Sequence, residues 1–317
     1  MTEREVVTEL ARRVRALVRP QLGQGRQQVG IGASGDAAFA LDLVAEEAVE
    51  NFLREQGLSV AYYSEDRGLV GDPAAERLLI LDPIDGSRPA KAGFETCCVS
   101  VALARNRPRA TMAEVTHACV ADLKGNALFY AERGGGVLIE GDPLGLAEQP
   151  AEPVQPCLST VRDPYPLAVS VELAGRPVRW VAEVLSEVLD GSSLPGGVFA
   201  FASSTYSLTR VVTGQLDAFL DVGHRIYQEI PASRPDFLRA GQGHLIALFP
   251  YDLAAAVLIA QEAGAVVTDA YGQPFTDVLL TDVSLANARS CIAAANAELH
   301  QRLLEIVNAN IARLRGA

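Results

Sequence analysis

This sequence has no excess of positive charge and no apolar run long enough to cross a membrane. Lysine and arginine number 27 against 39 acidic residues, a net charge of −12. That sign argues against a nucleic-acid partner, because phosphate backbones select basic surfaces. Aromatic residues make up only 6% of the chain and are scattered, so a base-stacking surface is excluded. No stretch reaches the roughly 18 apolar residues of a membrane span, and the start, MTEREVVTEL, lacks the apolar segment of an export signal. Five scattered cysteines (Cys97, Cys98, Cys119, Cys157 and Cys291) lack zinc-type spacing and read as buried reduced thiols. The four histidines show no ligand spacing either. A cytoplasmic protein is expected, with neither membrane nor nucleic acid as partner.

Nearly half of the 317 residues are apolar, enough for a substantial core and one large domain. Helical periodicity runs to about Val18, followed by a Gly/Gln-rich loop to Asp36 and a second amphipathic helix ending near Gly57. Strand patterns follow at LSVAYYSED, RLLILDPIDGS, 96–104 and 116–130, the last split by a turn at 122–126. A Pro-, Gly- and acid-rich stretch near 141–156 divides a first lobe, about 1–150, from a second, about 151–317. The second lobe twice pairs a helix with a strand, around 203–223 and 251–269, and ends on a strand and a long helix. This mixture, without a regular βαβ beat, gives an α+β fold in sandwiched layers.

The segment LLILDPIDGS carries the most chemistry. Four apolar residues form a buried strand, and Asp82 and Asp85 appear where it emerges. Pro83 fixes φ between them, so a tight turn there aims both carboxylates at one point, as a hard divalent cation requires. The backbone N–H groups of Gly86 and Ser87 are suited to a phosphate if a helix starts there. Turn-forming propensity alone also accounts for Asp, Pro and Gly at these positions.

The segment resembles the DPxDG(T/S) signature of the inositol monophosphatase and fructose-1,6-bisphosphatase superfamily. Three further segments resemble that family's elements in the family's order: GASGDAAFALDLVAEEAV, of the archaeal-like branch, YYSEDRG, and YDLAAAVLIAQEAGAVVTD. The connecting AERGGGVLIEGDPL is similar to its hairpin. The resemblance implies a layered αβαβα sandwich and a homodimer. It also implies a Mg²⁺-dependent hydrolase, a phosphatase that cleaves a small phosphorylated metabolite with two to three ions. Glu65, Asp82, Asp85, Asp252 and the Ile84 carbonyl would be metal ligands. Asp42, Ser87 and Glu65 would be catalytic, and Gly86, Ser87, Ser203 and Asp221 would bind the substrate or its phosphate. The residues taken alone also allow Asp42 to be one acid of a solvated helix face, and Asp252 to be a helix N-cap.

The chain departs from the family pattern in several places, among them Ser87 for the commoner threonine and RPAKAG after it, and two departures bear most on the substrate. FASSTYSL replaces the usual G-S-A-A-like element, and about two dozen residues, 224–250, are inserted before Asp252. The insertion's Arg225, Arg234 and Arg239 either meet a second anionic group on the substrate or are solvated surface residues. The leading expectation is a phosphomonoesterase of the inositol-1-phosphate or fructose-1,6-bisphosphate type. A 3′-phosphoadenosine-type nucleotide phosphatase and a non-catalytic metal- or ligand-binding relative are the alternatives.

Overall fold

The computed structural model describes residues 1–23, 28–31, 37–145 and 153–316, with the backbone alone at 28–31 and 37–40. The Gly/Gln-rich loop before Asp36 and the link near 141–156 lie partly outside the described residues.

Through residue 140 the chain forms α1 (Glu3–Val18), β1 (Gln28–Ile31), β2 (Ala37–Phe39), α2 (Ala40–Glu55), β3 (Ala61–Ser64), β4 (Gly68–Val70), β5 (Arg77–Asp85), α3 (Ser87–Ala92), β6 (Cys98–Arg105), β7 (Val115–Asp122), β8 (Leu128–Glu132) and β9 (Gly136–Glu140). It continues with β10 (Ala168–Val171), α4 (Val178–Ser192), β11 (Gly197–Phe199), α5 (Ser204–Val212), β12 (Ala218–Asp221), α6 (Gly223–Glu229), α7 (Arg234–Ala240), α8 (Pro250–Glu262), β13 (Val266–Thr268), β14 (Cys291–Ala294) and α9 (Ala297–Arg315).

Two sheets organise these elements. A seven-stranded sheet has the order β4-β3-β5-β6-β7-β8-β9, and a five-stranded sheet the order β11-β10-β12-β14-β13. Helices α1 and α2 cover one face of the larger sheet, where Val6, Leu10 and Val14 meet Leu79, Val101 and Cys119. Helices α5 and α8 fill the space between the sheets, and α4 and α9 close the outer face of the smaller one. The expected αβαβα layering is therefore present. Its middle layer explains the composition of α8: a helix packed on both sides must be apolar all round, and Leu253 through Ala260 are all buried.

Two local expectations need correction. Asp42, in the first turn of α2, is buried and does not belong to a solvated helix face. Cys157 is exposed, whereas the other four thiols are buried. The inserted segment contains two short helices, α6 and α7. Its arginines are engaged away from the cavity described below. Arg225 meets Glu229 at 2.9 Å and Asn308 at 2.7 Å, Arg234 donates to the Tyr227 carbonyl at 3.1 Å, and Arg239 meets Asp236 at 2.6 Å.

Candidate active site

Asp82 and Asp85 are three positions apart, which on a regular strand would place their side chains on opposite faces. The structure resolves this with a bulge. Asp82 pairs with Ser100 and Asp85 with Cys98, so three steps on β5 match two on β6. The extra residue restores both carboxylates to one side. The segment is therefore a bulged continuation of the strand and not the tight turn expected. The Ile84 N–H donates to Asp82 Oδ1 at 3.0 Å, fixing that carboxylate within the bulge.

Gly86 follows at φ +88°, and a Cβ there would lie 2.6 Å from the Thr96 carbonyl oxygen. Only glycine fits this step, which turns the chain into α3 at Ser87. The Ser87 hydroxyl donates to the Ile84 carbonyl at 3.1 Å. The start of a helix at Ser87 is the condition on which the phosphate-binding expectation depended.

The third carboxylate comes from the middle layer. Asp252 stands in the first turn of α8, and its Oδ2 accepts from the Phe249 N–H at 2.7 Å. Asp252 is thus not the N-cap itself but the residue three positions in that reaches back to it. Its backbone carbonyl accepts from Thr205 Oγ1 at 3.1 Å, tying α8 to the start of α5. Asp85 is held from the same place: Ser203 Oγ donates to its Oδ2 at 2.9 Å and the Thr205 N–H at 2.6 Å. Thr205 escaped the sequence reading, although the FASSTYSL departure marks its neighbourhood.

One oxygen from each of Asp82, Asp85 and Asp252 lies within 4.8 Å of the others. Burial pushes all three carboxyls above the ordinary range. Glu65 and the other aspartates add to the shift at Asp82, and Asp85 adds to it at Asp252, while hydrogen bonds from Thr205 and Ser203 oppose it at Asp85. Glu65, in the turn after β3, lines the same cavity together with Ile84, Gly86, Ser87 and Ser203. Like charges at this density are costly unless protons or cations accompany them. A donor set made only of carboxylate oxygens suits a hard divalent ion and not a soft one.

Two of the expected site residues are placed differently. Asp42 is buried in α2, and the cavity's lining does not include it. Asp221 is fully buried at the end of β12 and is likewise absent from the cavity wall. Its carboxylate accepts from Arg176 Nη2 at 2.6 Å and from the Gly223 N–H at 2.8 Å. The wall instead carries Glu172 and Arg176, neither singled out in the sequence. Their only local signal is a pair of opposite charges in VELAGR, too common a pattern to read.

The model of the inositol monophosphatase family matches residues 2–312. A fructose-1,6-bisphosphatase/inositol-1-monophosphatase of Thermococcus kodakarensis is 23% identical over 303 residues, 95% of each chain. An inositol-1-monophosphatase of Caulobacter vibrioides is 25% identical over 282 residues, 89% of this chain and 91% of that one. Among solved structures, the extragenic suppressor protein suhB of Bartonella henselae superimposes with a TM-score of 0.69 at 20% identity, covering 96% of this chain and 97% of its own. With a match from end to end and the same layered fold, this chain belongs to the inositol monophosphatase family.

Proposed function

We propose that the protein is a Mg²⁺-dependent phosphomonoesterase acting on a small polyol or sugar phosphate. The observation that carries this reading is the convergence of Asp82, Asp85 and Asp252 within 4.8 Å beside Glu65. These four carboxylates, with the Ile84 carbonyl, would hold two to three ions. Bound divalent cations would supply charge neutralisation for the phosphoryl oxygens and a water of lowered pKa.

The chain's own groups have separate tasks. The Gly86 and Ser87 backbone N–H groups, at the start of α3, bind phosphate oxygens. Ser87 Oγ, whose proton goes to the Ile84 carbonyl, orients the attacking water by accepting a hydrogen bond from it. Ser203 and the Thr205 amide keep Asp85 in place through the bonds already described. No covalent intermediate on the protein is needed. Relatives named fructose-1,6-bisphosphatase/inositol-1-monophosphatase support a polyol or sugar ester, while relatives of similar identity named bifunctional NADP phosphatase/NAD kinase keep a nucleotide phosphate as the second reading. A cytoplasmic homodimer completes the reading. Unbridged thiols at Cys97, Cys98, Cys119, Cys157 and Cys291 support a reducing compartment, and sedimentation at micromolar concentration tests the dimer.

The direct test is Asp85→Asn. It abolishes Mg²⁺-stimulated phosphate release from inositol 1-phosphate while the circular dichroism spectrum stays that of the wild type. Near-normal turnover in that variant defeats the assignment.

A further inference from the structure

Asp221, the acid expected to hold the polyol, has 0% of its surface exposed and is engaged by Arg176 and Gly223. The cavity wall holds a different carboxylate. Glu172 follows β10 directly, and its Oε1 accepts from the Ala174 N–H at 2.7 Å, which fixes the side chain in a tight loop. The same peptide segment is clamped from its other side, where the Ala174 carbonyl accepts from Arg176 Nη1 at 2.6 Å. Gly175, at φ +69°, sits so close to Ile246 that a Cβ would approach it to 2.5 Å. The loop 172–176 and the last residues of the inserted segment, Leu245–Phe249, therefore build one wall together.

From this geometry we propose that Glu172 recognises the alcohol portion of the substrate, accepting hydrogen bonds from its hydroxyl groups. The inference rests on the phosphomonoesterase reading and narrows it. A carboxylate is an acceptor only, so it selects O–H donors and repels a second phosphate or a carboxylate. Arg176 does not reverse this preference, since Asp221 and Glu172 together outnumber its single charge. The favoured substrate class is a hydroxyl-rich monophosphate, with bisphosphates disfavoured where their second group reaches this wall.

The test compares inositol 1-phosphate with 4-nitrophenyl phosphate, whose leaving group has no other hydroxyl, at saturating Mg²⁺. In Glu172→Gln and Glu172→Ala, the ratio of kcat/KM for the polyol ester to that for the aryl ester falls at least about tenfold, mainly through KM. Asp221→Asn instead lowers Tm and reduces both reactions in parallel. A ratio unchanged within about twofold in both Glu172 variants overturns the inference, as does a ratio that shifts in Asp221→Asn alone. Inhibition by inorganic phosphate is followed in the same variants. Its loss together with both activities also overturns the inference, because a carboxylate confined to the alcohol end leaves the phosphate end standing. If the wild type releases phosphate from neither ester, the parent reading itself falls. Release from both esters with an unmoved ratio removes only the role of Glu172.

Discussion

Arg210 on α5 and Asp122 at the end of β7 meet in a buried ion pair, with Nη2 3.1 Å from one carboxylate oxygen and 3.2 Å from the other. The Arg210 guanidinium also lies 4.4 Å over the Tyr206 ring and donates to the Pro143 carbonyl at 3.0 Å. The pair fastens the helix that supports Asp85 and Asp252 to the seven-stranded sheet. Removing one partner leaves a buried charge uncompensated, so Asp122→Ala should cost about 3–5 kcal/mol. Replacing both, Asp122→Leu with Arg210→Met, should recover a large part of that loss. Urea denaturation of the wild type and these two variants checks it, and a double variant as unstable as the single one contradicts it.

The carboxyls of Asp82, Asp85 and Asp252 are raised by burial and, at Asp82 and Asp252, by neighbouring acids. The metal-free folded state therefore holds protons that the unfolded chain releases at about pH 4. Its stability falls as pH rises above that value, because the native form binds more protons. A divalent cation takes the place of those protons. Addition of Mg²⁺ should raise Tm more at pH 8 than at pH 5 and should release protons into a weak buffer. Calorimetry with Mg²⁺ and with chelator measures both effects; equal Tm values at pH 8 would count against the site.

Much of this site was legible because its parts are short and local. DPIDGS announces two carboxylates of the cluster and a glycine turn, and the four motifs stand in order along the chain. The bulge was not legible, since it depends on how β5 pairs with β6, a register that no single segment encodes. The fate of Asp221 was hidden for a similar reason. Arg176 lies 45 residues away, and only the packing of β10 beside β12 brings the two together. Chemical type at a matched position did not reveal whether that side chain faces the cavity or the interior.

Glu46 on α2 is 1% exposed, and its carboxyl is pushed up to about 7 by burial, with the Ser64 hydroxyl opposing. The folded protein thus retains a proton on Glu46 between the usual glutamate value and pH 7. Stability falls as pH rises through that window and levels off above it. Glu46→Gln removes the titration. The variant should match the wild type near pH 4 and exceed it above pH 7 by up to about 3 kcal/mol, from 1.36 kcal/mol per pH unit. Denaturant melts at pH 4.5, 6 and 8 decide the matter: a stability difference that does not grow with pH would mean Glu46 is not the group responsible.

Ala202 lines the cavity at φ +54°, one of three non-glycine residues with positive φ among those described. It directly precedes Ser203, whose hydroxyl holds Asp85. An L-residue in this left-handed region costs about 1–2 kcal/mol, which glycine avoids. Glycine also loosens the unfolded chain, offsetting the gain by about 0.4–1 kcal/mol. The balance makes Ala202→Gly neutral to stabilising by up to about 1.6 kcal/mol. Ala202→Val, with a branched Cβ in the same conformation, should be destabilising by more than about 1 kcal/mol. If thermal melts show Ala202→Gly to be the less stable of the two, the left-handed turn carries no strain. The anchoring of Asp85 would then rest on the Ser203 and Thr205 hydrogen bonds alone.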